Sequence, residues 1–114
     1  MSYFCGLIFY KPSRIRMRNY KLERLLNGET FFTSEKGNSM SPLIKSGQEH
    51  QLTPVKWEEC EVDNIVYCKV KGNFYTHLVK AKNNDRGLLI GNNKGGINGW
   101  TKQVYGRVKS IVPL

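Results

Sequence analysis

The sequence predicts a single, mainly β domain with one short helix near its start. Three observations carry that expectation. At 114 residues the chain has room for one hydrophobic core and no second one. With 39% hydrophobic and 24% charged residues, its composition is that of a globular protein rather than a disordered one. Beyond residue 28, short β-prone runs alternate with Gly/Asn turns, and there is no repeat or low-complexity tract.

Taken in order, residues 1–19 read as an irregular basic arm. Tyr20-Lys21-Leu22-Glu23-Arg24-Leu25-Leu26 places Leu22, Leu25 and Leu26 at helical spacing, and Gly28 stops the run after one or two turns. Residues 1–28 are therefore taken as an arm with a short helix, and 29–114 as the β domain. Thr30–Ser34 and Asn64–Val70 are strand-like, and the turn Lys71-Gly72-Asn73 joins the latter to Phe74–Val79 as a hairpin. Gly87–Ile90 and Val104–Val112 supply two more strands. Gly91–Trp100 between them, rich in glycine and asparagine, reads as a long loop.

Charge and cysteines bound the function. Eighteen Lys and Arg against nine acids give a net charge of +9; the basic residues are spread along the chain, with one concentration at Lys11, Arg14, Arg16, Arg18, Lys21 and Arg24. Such an arm suits a polyanion, a nucleic acid or an acidic host protein, because phosphate neutralisation is independent of sequence; the alternative is charge that only maintains solubility. Cys5, Cys60 and Cys68 have no CxxC spacing, and only His50 and His77 could join them, so neither a zinc site nor any cofactor is expected. The apolar run Phe4–Tyr10 is far short of the ~20 residues that cross a bilayer. No membrane span and a cytoplasmic location, with reduced thiols, are expected.

The chemistry concentrates at Lys36-Gly37-Asn38-Ser39-Met40-Ser41-Pro42. A serine between a Gly-Asn turn and a Met-x-Pro stop can sit with its hydroxyl outward, beside backbone N–H groups able to hold an oxyanion. On composition alone, Gly-Asn-Ser is also an ordinary turn. The other candidate is His77, within the predicted hairpin and 38 residues downstream of Ser39. A histidine needs little tuning to act as a base near neutral pH, since its ordinary pKa is about 6.5.

The run Gly37-Asn38-Ser39-Met40-x-Pro42 resembles the G-x-S-M-x-P signature of the LexA/UmuD-type autopeptidases and type I signal peptidases. The likeness continues in order through Val62-Asp63-Asn64-Ile65-Val66, similar to V-G-D-I-V, then Gly72–Val79, and finally Val104-Tyr105-Gly106-Arg107-Val108, similar to V-x-G-x-V. It implies a coiled β-ribbon, or pseudo-barrel, with a short N-terminal helix. It also implies a serine endopeptidase of bacterial or phage type, with Ser39 as nucleophile and His77 where the autopeptidases carry a lysine. His77-Leu78-Val79 is similar to the His-x-Val of the histidine-type signal peptidases. Met40 is implied at the oxyanion position.

In those enzymes a Gly-Asp-x-Asn box orients the histidine. The matching Gly91-Asn92-Asn93 makes Asn92 the expected orienting residue, an amide in place of a carboxylate, with Asp85 or Asp63 as substitutes. The resemblance further implies self-cleavage at Cys5-Gly6, 33 residues ahead of Ser39, and dimerisation through Val104–Val112. The chain has too few residues ahead of the core for a helix-turn-helix, so a complete repressor is not expected. Two functions remain open: a peptidase acting on itself or a partner protein, and a catalytically inactive relative that binds a protein or nucleic acid, for example by blocking a host factor.

Overall fold

The computed structural model describes residues 18–114. Asn19 caps the helix α1 (Tyr20–Leu26) by accepting from the Leu22 N–H at 3.0 Å, which satisfies one of the four donors a helix start leaves free. Leu25 is the helix's one buried residue. Its side chain packs on Gly106, where an added Cβ would come within 2.9 Å of the leucine methyls. This is why β7 carries glycine at the crossing.

Seven antiparallel strands follow: β1 (Phe31–Thr33), β2 (His50–Pro54), β3 (Ile65–Val70), β4 (Asn73–Asn83), β5 (Gly87–Gly91), β6 (Ile97–Thr101) and β7 (Val104–Ile111). They form one sheet in the order β1-β2-β7-β3-β4-β5-β6. Lys71 and Gly72 both have positive φ, 51° and 85°, the pattern of the two-residue turn whose twist matches a β-hairpin. Register shifts at Gln51/Leu52, Tyr67/Cys68, Val79/Ala81 and Ile90/Gly91 bend the sheet.

Bending lets both faces bury apolar side chains. Along β3, Val66, Cys68 and Val70 join Cys60, Val79, Leu88, Ile90 and Val104 in one cluster, while Tyr67 on the opposite face joins Leu25, Phe31 and Leu52. A third cluster, Met40, Ile44 and Leu78, lies against Ile65, Val108 and Ile111. The helix thus shares the β domain's core rather than standing with an arm.

Two strands differ from the sequence expectation. His50–Pro54, to which the sequence reading assigns no element, forms β2, held between β1 and β7. Half of the expected loop Gly91–Trp100 is strand, the last residue of β5 and the first four of β6, with the turn confined to 92–96. Asn98 and Gly99 lower β propensity and hide the strand; Gly99 sits at φ 138°, where a side chain would strain the backbone. Among the described residues, no helix is long and apolar enough to cross a membrane.

Candidate active site

Ser39 lies in the turn that connects the end of β1 to β2. Gly37 at φ 124° starts the bend, and the bonds Ser41 N–H to Asn38 O and Ile44 N–H to Met40 O, both 3.1 Å, close it. Met40 and Ile44, 5% and 6% exposed, plug this turn into the third core cluster. Ser39 itself stays exposed. The Met40 side chain is therefore an anchor, and only its backbone is left to serve chemistry. Among the described residues, neither the Ser39 nor the Met40 N–H is engaged by an acceptor.

The hairpin brings His77 to this turn. Its Nε2 lies 3.1 Å from Ser39 Oγ, and its Nδ1 lies 2.7 Å from Asn98 Oδ1. The amide oxygen only accepts, so Nδ1–H donates to it and Nε2 presents its lone pair to the serine hydroxyl. That tautomer is the one a general base requires. Tyr75, two residues earlier on the same face of β4, stacks on the imidazole at 4.9 Å between ring centres. His77 is 8% exposed, and the Tyr75 stack and the Asn98 bond hold its ring with Nε2 toward the serine.

The expected orienting residue is corrected by one strand. Asn92 Oδ1 accepts from the N–H groups of Lys94 and Gly96, both at 2.8 Å, and so folds its own turn instead of meeting His77. Asp85 lies in the β4–β5 turn and Asp63 in the turn before β3; neither bonds His77. Asn98 faces His77 because β6 returns antiparallel beside β5, which itself pairs with β4. The sequence carried no motif for it, since the β6 strand was itself hidden.

Asn93 is a second residue that sequence reasoning missed. Its N–H donates to Ser39 O and its Nδ2 to Ser41 O, both at 2.9 Å. Three asparagines of one hairpin thus divide the work: Asn92 shapes the turn, Asn93 grips the serine turn and Asn98 holds the histidine.

A cleft of about 360 Å³ opens beside the pair, lined among others by Glu35, Ser39, Ile44, His50, Thr76 and His77. Glu35 accepts from Thr76 Oγ1 at 2.6 Å and pairs with Lys21 of α1. Burial works against its ionisation, but the bonds from Lys21 and Thr76 outweigh it and hold the carboxyl below its usual range. In the sheet the half-strand Asn73–His77 pairs only with β3, since pairing with β5 begins at Leu78, so its other edge is left without a strand partner. Among the described residues, no three of His, Cys, Asp or Glu form a group that could hold a metal ion.

The basic concentration is partly neutralised where it is described. Arg18 bonds Glu23 through two nitrogens, at 2.6 and 3.2 Å, Lys21 pairs with Glu35, and Arg24 with Glu29 at 3.0 Å. Lys11, Arg14 and Arg16, together with Cys5-Gly6, lie outside the described residues. No family model, no curated protein and no solved structure matches this chain.

Proposed function

We propose that this protein is a serine endopeptidase of the LexA/signal-peptidase-like type, acting on itself or on a partner protein in the cytoplasm. The observation that carries the reading is the line of three polar groups, Ser39 Oγ, His77 and Asn98, joined at 3.1 and 2.7 Å. As Ser39 Oγ attacks a peptide carbonyl, its proton passes to His77 Nε2. The oxygen of the tetrahedral intermediate is held by the Ser39 and Met40 N–H groups. Collapse breaks the C–N bond, and the imidazolium returns the proton to the leaving amine. Water, deprotonated by the same imidazole, then hydrolyses the acyl-serine ester. Asn98 keeps Nδ1–H in place throughout, without the charge that a carboxylate would contribute.

That missing charge favours a second reading, a catalytically inactive relative whose cleft binds a protein or nucleic acid. Incubation with a proteome-derived peptide library, read by mass spectrometry, separates the two. New peptide termini that disappear with Ser39→Ala support the peptidase; the same peptide pool before and after incubation with wild type supports the binding module.

A further inference from the structure

The turn that carries Ser39 is closed at its base by two bonds. Gly47 N–H donates to Glu35 O at 2.7 Å, and Gly37 N–H to Ser46 Oγ at 3.1 Å. Lys36 and Lys45 therefore lie on the two facing limbs of that base. Lys36 stands between two bonded residues, and the Lys45 N–H donates to Gln48 Oε1 at 2.9 Å. Both lysines are exposed, and both line the cleft shared by Ser39 and His77.

The charge of the cleft follows from what its lining residues already hold. Its one carboxylate, Glu35, is engaged by Lys21 and Thr76. Among the described residues, Lys36 and Lys45 form no ion pair. Two uncompensated ammonium groups remain beside the apolar wall of Met40 and Ile44, and walls of low dielectric concentrate such a field inside a cleft. A cationic side chain is repelled there and an anionic one is drawn in.

We infer that the cleft selects an aspartate or glutamate side chain through Lys36 and Lys45, and that its substrate is an acidic segment of a partner protein. Residues 1–17 contain no Asp or Glu, so the chain's own first residues do not offer one. A nucleic acid suits the cleft less well. Glu35 sets a carboxylate against its phosphates, and two lysines are few for a site whose affinity comes from phosphate neutralisation. That the anion belongs to a peptide rests on the peptidase reading.

The test compares near-isosteres that differ in charge. Acetylated alanine pentapeptide amides with one glutamate or one glutamine at each position in turn are titrated into ¹⁵N-labelled Ser39→Ala protein. The backbone amide resonances of Gly37, Thr76 and His77 follow binding at the cleft. In about 0.01 M salt the glutamate peptide binds about fivefold more tightly than its glutamine partner at one position or more, and in about 1 M salt the two bind equally. The preference disappears in Lys36→Gln/Lys45→Gln. It persists in Lys102→Gln/Lys109→Gln, which removes the same charge from exposed residues outside the cleft.

Equal binding of every pair, or a preference that survives in Lys36→Gln/Lys45→Gln, overturns the acidic subsite; library cleavage by wild type then leaves the peptidase reading standing. Glutamate preference without library cleavage upholds the subsite and overturns the peptidase. A thymidine hexanucleotide that shifts the same resonances at lower concentration than the glutamate peptide overturns the choice of a peptide. Loss of residues 1–5 from incubated wild type, read by intact mass, overturns the choice of a partner.

Discussion

His77 can act on Ser39 only because of what sits behind it. With Asn98 Oδ1 at 2.7 Å from Nδ1, the ring has one tautomer available for its other nitrogen. Asn98→Asp adds a charge that favours the imidazolium, and it should raise the reactivity of Ser39 toward an active-ester acyl donor about tenfold or more. Asn98→Ala should lower it by a similar factor, because the ring loses the bond that fixes it. Stopped-flow release of the ester's chromophore reads both. Glu35 makes a second prediction at this scale. Its carboxyl is held low in the folded state, so its stabilising effect is complete above the ordinary carboxylate range and drains away as pH falls through the lowered folded value. Thermal melts at pH 7 and at pH 3 should therefore show Glu35→Gln less stable than wild type at the higher pH and nearly equal at the lower.

Between elements, the site depends on the β5–β6 hairpin gripping the β1–β2 turn. Asn93 makes both of the bonds that do so. Asn93→Ala removes the side-chain one and should cost about 1 kcal/mol in denaturant unfolding, with a larger proportional loss in the acyl-donor assay than in stability. This level was only half legible in the sequence. Ser39 and His77 stand out through the motif resemblance and not through local composition, in which Gly-Asn-Ser is an ordinary turn, whereas β3, β4 and β7 stand where β-prone runs and glycine turns lie. β6 could not be read, because Ile97-Asn98-Gly99 reads as loop; its pairing with β5 is a tertiary effect that overrides local propensity. Asn98 was lost along with it. Asn92 drew the expectation because it stands in the motif position, but a side chain beside a glycine turn finds its nearest donors in that turn.

For the molecule as a whole, the mainly β character was readable from runs and turns, whereas the boundary at residue 28 was not. An amphipathic helix looks separable in sequence, but Leu25 packs with Gly106, Phe31, Leu52 and Tyr67, Leu22 lies beside them, and the Asn19–Tyr67 and Lys21–Glu35 bonds add to the tie with the β domain. Leu25→Ala should therefore destabilise the entire fold by about 2–5 kcal/mol rather than fray one helix. The buried thiols report on this directly. Burial, with a smaller contribution from Cys60, pushes Cys68 up to about 12, and burial likewise raises Cys60. Both should resist a thiol reagent at pH 8 in the wild-type protein. In Leu25→Ala they should react faster, and at rates that track global unfolding, as judged by mass-resolved labelling.

The account stands on a proton passing from Ser39 to His77, and mapping a fluorophosphonate adduct tests this most directly. Wild-type protein treated with the probe and digested is predicted to carry the phosphonyl mass on Ser39 alone among its serines. Replacing His77 with alanine is predicted to reduce that labelling at least a hundredfold while the far-ultraviolet circular dichroism is unchanged. Adduct spread over several serines, or equal labelling of Ser39 with and without the imidazole, would contradict it.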